Sequence, residues 1–109
     1  MEAEVSRKLQ KRIVQNFLDI IILARLRNAE LLSGYEIMGL IHQKLGFLIS
    51  SGTVYSLLYS MERKGLIKGE LTDGKRVYAL TEQGKSVIDA IIGSKEELLR
   101  FVRSLLDGW

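Results

Sequence analysis

The residues with the most legible chemistry lie between Ser50 and Arg63. On a helical wheel of roughly 100° per residue, Val54, Leu57, Leu58 and Met61 form one apolar side. Gly52, Ser56, Tyr59 and Arg63 fall opposite, with Thr53, Tyr55 and Ser60 on the flanks, and no carboxylate interrupts the helix before Glu62. Small, hydroxylic, phenolic and cationic side chains are suited to hydrogen bonding with phosphates and base edges at close approach. A face that is merely solvated is the plainer alternative, but such faces more usually carry Lys and Glu. Ser50 or Ser51 opens this helix, and free amide donors near Ser50, Ser51 and Gly52 favour an anionic group there. A simple helix cap at Ser50 explains the same serine, and the two uses are compatible. Lys75 and Arg76 follow at the tip of an apparent hairpin, where basic side chains suit a phosphate backbone. Charged tips also occur in proteins that bind nothing, so their weight comes from following this helix directly.

Covalent chemistry has little to work with. Cysteine is absent, which excludes disulfides, thiolate metal sites and cysteine nucleophiles, and His42 is the only histidine. A metal site or a Ser-His-Asp arrangement around His42 has no obvious partner on the polar side of its helix. Glu96 and Glu97 sit where a helix starts and are explained by capping and solvation. No Gly-rich loop precedes a helix, so no phosphate-cradling motif is present and no catalytic residue or cofactor is expected. The net charge of +3, from 16 basic and 13 acidic residues, is too small to argue for nucleic acid by itself. The apolar run Leu18 to Leu26 contains Asp19 and Arg25 and is far shorter than the roughly 20 residues of a membrane span. With no signal-like start, the chain reads as cytoplasmic with no membrane partner.

Several elements must position the Ser50–Arg63 helix. Val5, Leu9, Ile13 and Phe17 recur at steps of four among Arg7, Lys8, Lys11 and Arg12, which predicts a helix from about residue 3 with a basic outer face. That face is either solvated, the favoured reading, or an additional DNA or membrane-surface contact. The helix is open to continuing into Val14 to Arg27, which is apolar on nearly every side and is predicted to be buried. Ser33 and Glu36 have capping-box spacing before Ile37, Met38, Ile41 and Leu45, and Gly46 ends that helix. Phe47-Leu48-Ile49 reads as one short strand. Leu66 to Leu71 and Arg76 to Leu80 flank Thr72-Asp73-Gly74-Lys75 and predict a two-stranded hairpin. Thr81 caps a last helix in which Ile88, Ile91, Ile92, Leu98, Leu99, Val102, Leu105 and Leu106 recur at a nearly heptad step. Such a stripe asks for a partner surface. Gly93 and Ser94-Lys95-Glu96-Glu97 also resemble a stop and a new start, although a continuous helix is the favoured reading. Lys95 on the stripe is compatible with snorkelling, pairing or a kink, and Trp109 either folds back on the interface, where stacking on an effector is the less favoured use, or is disordered.

Gly34-Tyr35-Glu36-Ile37, Ser51-Gly52-Thr53-Val54-Tyr55 with Leu58, Met61-Glu62-Arg63-Lys64-Gly65-Leu66-Ile67, and Lys75-Arg76-Val77-Tyr78-Ala79-Leu80-Thr81-Glu82-Gln83-Gly84-Lys85 resemble the PadR-like regulators in order and spacing. The resemblance covers about Phe17 to Ala90. It is carried most specifically by the Gly-Thr-Val-Tyr element beside Gly-Tyr-Glu-Ile, because the Leu-Thr-Glu-x-Gly-Lys step also occurs in other winged-helix families. It implies a homodimeric transcription factor, usually a repressor, with Tyr55 opening the recognition helix, Lys75 and Arg76 as the basic wing, and a C-terminal helix supplying much of the dimer interface. Serine stands at 51, where the family often has proline. Some relatives bind aromatic or drug-like effectors at that interface, but no residue here selects one.

The expected fold is therefore mostly α with a small β-wing: a winged helix-turn-helix with a three-helix core, a two-stranded hairpin and a C-terminal dimerisation helix. Residues 1–80 are assigned to the DNA-binding part with its N-terminal helix, and 81–109 to dimerisation. The expected partners are double-stranded DNA and a second copy of the chain, with a small-molecule effector at the dimer interface left open. Two rivals share the fold: a winged-helix module that binds protein, and a chromatin-like binder tolerant of DNA sequence.

Overall fold

The computed structural model describes residues 1–28 and 31–109. Its elements are α1 (Glu2–Asn16), α2 (Leu18–Arg27), β1 (Leu32–Ser33), α3 (Gly34–Leu45), α4 (Ser51–Arg63), β2 (Ile67–Thr72), β3 (Lys75–Leu80), α5 (Glu82–Gly93) and α6 (Lys95–Leu106). The mostly helical class with a small antiparallel sheet follows the sequence closely. Among the described residues no helix is long and apolar enough to cross a membrane.

Packing around α2 explains why that helix is apolar on most sides. It lies against α4, α5 and β3 and contributes Leu18, Ile22, Leu23 and Leu26 to one core with Ile37, Ile41, Val54, Leu58, Met61, Ile67, Tyr78 and Ile88. Burying each of the larger aliphatic side chains is worth about 1.5–3 kcal/mol relative to exposure. Caps terminate the elements as their spacing predicts. Ser33 Oγ accepts the Glu36 amide at 3.1 Å while the Glu36 carboxylate accepts the Ser33 amide at 3.0 Å. Gly46, at φ 73°, ends α3 in the left-handed region. Asp73 and Gly74 both have positive φ, 51° and 75°, the pair of conformations that a tight hairpin turn requires.

The structure settles one open boundary and corrects the sequence reading at three places. The first two helices break at Phe17, whose backbone leaves the helical region (φ −114°, ψ 24°) where the chain passes from an exposed helix into a buried one. Phe47–Ile49 is not a strand; Phe47 is buried under the Arg7 guanidinium, 3.9 Å from its ring centroid. The place beside β3 belongs instead to β1, with Leu32 opposite Tyr78 and Ser33 opposite Val77, which gives a three-stranded sheet ordered β1-β3-β2. The last helix is divided at Ser94, whose Oγ donates to the Ala90 carbonyl at 2.9 Å instead of capping α6. Finally, Ile88 is 1% exposed within its own subunit and so cannot serve a partner, in contrast to the dimerisation role assigned to it.

The two terminal helices lie outside this core. Only Val14 of α1 is buried, and no residue of α6 is. The radius of gyration, 15.4 Å, exceeds the roughly 13 Å expected of a compact chain near this length.

Candidate nucleic-acid interface

The wheel drawn for α4 matches its burial. Val54, Leu58 and Met61 are at most 2% exposed, Leu57 is intermediate, and Ser51, Gly52, Thr53, Tyr55, Ser56, Tyr59 and Arg63 are exposed. The apolar stripe fixes the rotation of the helix, and that rotation presents the polar set to solvent. Ser50 is the N-cap: its Oγ accepts the Thr53 amide at 3.2 Å and lies 2.8 Å from Thr53 Oγ1. Its hydroxyl is thus engaged in capping, while the exposed first turn at Ser51 and Gly52 keeps the amide-rich helix end that favours anions.

Two aromatic residues on this face are held by particular neighbours. Tyr55 lies against Gly34 at the start of α3, where an added Cβ would fall 2.5 Å and 2.7 Å from two of its ring carbons. The packing of Gly34 against Tyr55 places the two most characteristic sequence elements in direct contact. One ring edge is still free, since Tyr55 remains 46% exposed. Tyr59 projects further, with the Arg63 guanidinium 5.4 Å from its ring centroid one turn later.

Lys75 and Arg76 both stand at the exposed end of the β2–β3 hairpin, in different surroundings. Lys75 has no ion pair among the described residues, and its charge acts at longer range on the Glu36 carboxyl. Arg76 Nη2 bonds both oxygens of Glu62, at 2.9 and 2.7 Å. The hydrogen bond from Arg76 and a further one from the Gly69 amide hold the Glu62 carboxyl below its ordinary range, and Glu62 correspondingly raises Arg76. Tyr55, Tyr59, Glu62, Arg63, Arg76 and Tyr78 together line an open hollow of about 500 Å³ between α4 and the hairpin.

The sequence reading therefore locates one continuous surface formed by α4 and the hairpin, and the structure brings all its assigned residues onto it or its margins. It misses Gly34, Glu62, Gly69 and Tyr78. Glu62 reads as the first acidic residue of an otherwise favourable helix, with no signal of the partners that neutralise it.

Residues 22–90 match the profile of the transcriptional regulator PadR-like family. The chain belongs to this family. This PadR-like chain is also similar to solved structures. One is a PadR-family regulator from Eggerthella lenta, with a TM-score of 0.79 and 22% identity, covering 99% of this chain and 97% of that one. A second is a PadR-like regulator from Bacillus cereus, with a TM-score of 0.71 and 26% identity, covering 90% and 99%. A third, Bacillus subtilis PadR in complex with operator DNA, has a TM-score of 0.62 and 27% identity, covering 69% of this chain and 46% of that one. No match was found among curated proteins.

Proposed function

We propose that this PadR-like chain is a dimeric, sequence-specific DNA-binding regulator, acting as a repressor in the cytoplasm without catalysis. The observation that carries the reading is the division of α4 between a stripe turned to the core and an exposed face of Ser51, Gly52, Thr53, Tyr55, Ser56, Tyr59 and Arg63. That face enters the major groove, with Tyr59 and Arg63 reaching farthest, while Ser50 caps the helix at the phosphates and the hairpin tip with Lys75 lies along the backbone. Operator DNA bound to the Bacillus subtilis relative supports the same use of the fold.

The second copy docks through α6, aided by α1. Leu98, Leu99, Val102, Leu105 and Leu106 on α6 are exposed, as are Ile92 at the end of α5, Val5, Leu9 and Ile13 on α1, and Phe17 just after it. With Ile91 partly buried against the core and Ile88 within it, the functional boundary falls near Ser94 and not at residue 81. A two-fold dimer then offers its two α4 helices to half-sites about 34 Å apart on one face of an inverted repeat.

Selection of bound sequences from a random duplex library tests this directly. Wild type should enrich an inverted repeat, and Arg63→Ala and Lys75→Ala should bind that repeat poorly. Weak binding without enrichment would indicate a sequence-tolerant binder, and no binding would refute the DNA reading.

A further inference from the structure

Arg76 adjoins Lys75 in the sequence and by composition belongs with it on the phosphate backbone, but its surroundings are those of a structural tie. We propose that Arg76 is a positioning residue: with Glu62 of α4 and Gly69 of β2 it forms a latch that fixes the angle between the hairpin and the DNA-facing helix. This rests on the DNA-binding reading above and assigns different work to the two basic residues at the tip.

The latch joins three elements through one carboxylate. Glu62, in the last turn of α4, accepts Arg76 Nη2 on both oxygens, and its Oε2 also accepts the Gly69 amide at 3.1 Å. The same side chain therefore holds the main chain of β2 and a side chain of β3. The strand register places Gly69 opposite Tyr78 and Leu71 opposite Arg76, so Gly69, Arg76 and Tyr78 share one face of the hairpin. Gly69 leaves the space in which the guanidinium lies. A Cβ there would come within 2.8–2.9 Å of Arg76 Nε, Cζ and Nη2. Tyr78 borders it from the other side, its ring centroid 5.9 Å from Arg76 Cζ.

Charge and geometry agree on this role. A guanidinium bonded to both oxygens of a carboxylate reaches a phosphate only by leaving that partner or by bringing a negative charge with it. The pair is partly exposed, with side chains 48% and 28% accessible, so it adds little to stability. Its consequence is directional: the hairpin has no other side-chain hydrogen bond to α4 among the described residues. Lys75 alternates to the opposite face of β3 and keeps its charge available.

Substitutions that separate charge from geometry test the latch. Affinity is measured against salt for the duplex enriched by wild type and for an unrelated duplex of equal length. Arg76→Lys keeps the charge but shortens the side chain and removes the flat guanidinium that fills the space beside Gly69. Gly69→Ala keeps every charge and displaces the guanidinium, and Glu62→Gln with Arg76→Gln removes the pair at constant net charge. The latch predicts that all three weaken binding to the enriched duplex about tenfold, narrow its preference over the unrelated one, and leave the salt slope unchanged. Lys75→Gln instead lowers that slope by about 0.9 per subunit. An Arg76→Lys variant that binds like wild type, or a double variant whose slope falls by about 0.9 per subunit, overturns the latch in favour of a phosphate contact. A double variant with wild-type affinity and preference overturns the positioning role. Failure of wild type to bind either duplex overturns the regulator reading itself.

Discussion

Replacing Leu98 and Val102 together by alanine should convert the dimer proposed here into a monomer at working concentrations. The two residues lie four apart on α6 and are 46% and 52% exposed in the isolated subunit, so about half of each side chain's burial remains available to a partner. Full burial of such a side chain contributes about 1.5–3 kcal/mol, and the remaining half is therefore worth about 1 kcal/mol. In a two-fold interface each substitution occurs twice, giving a loss of about 4 kcal/mol for the pair and a dissociation constant weakened by roughly a thousandfold. Sedimentation velocity over nanomolar to micromolar concentrations measures that shift. Circular dichroism should show the subunit fold unchanged, because no residue of α6 is buried in it. Leu71→Ala is the matched control: Leu71 is 73% exposed, but on the hairpin, and its loss should leave the assembly intact. A double variant that sediments as a dimer with wild-type affinity would refute assembly through this face of α6.

Other outcomes can be read without DNA. Gly84→Ala would place a Cβ 1.9 Å from the Leu66 carbonyl oxygen, a backbone clash expected to cost about 3 kcal/mol or more; thermal unfolding should show a fall of about 10 °C or more. Gly39→Ala meets nothing within 4 Å on the exposed side of α3, and the same assay should show a gain of about 0.5–1 kcal/mol. Ser33→Ala removes the α3 cap and should lose about 1 kcal/mol near neutral pH. Hydrogen bonds from the Ser33 backbone and side chain hold the Glu36 carboxyl below its ordinary 4.5. A lowered folded-state value gives stability that is present above the unfolded-state value and lost as pH falls through the folded one. Denaturant titrations from pH 7 to 3 should therefore show the difference between wild type and Ser33→Ala narrowing below about pH 4.5, and a constant difference would refute the link between cap and carboxyl.

What the sequence reveals about the site depends on the distance over which each feature is determined. The buried stripe of α4, the Ser33–Glu36 box and the Asp73-Gly74 turn are set by neighbours within one or two turns, so residue type and spacing suffice to read them. Phe47 is different, because its β-favouring run is overridden by Arg7, which covers the ring from another helix forty residues earlier. The third strand is likewise determined by β3, whose free edge takes Leu32 and Ser33. Arg76 shows most clearly what residue type leaves out: its type and its neighbour Lys75 point to phosphate, while its surroundings are set by a carboxylate fourteen residues away and by a glycine brought alongside by strand register. Local pattern thus identifies which surface faces outward, but tertiary pairing decides which charges on that surface remain available. A basic residue beside a DNA-facing helix should accordingly be assigned to phosphate only after its intramolecular acidic partners are known.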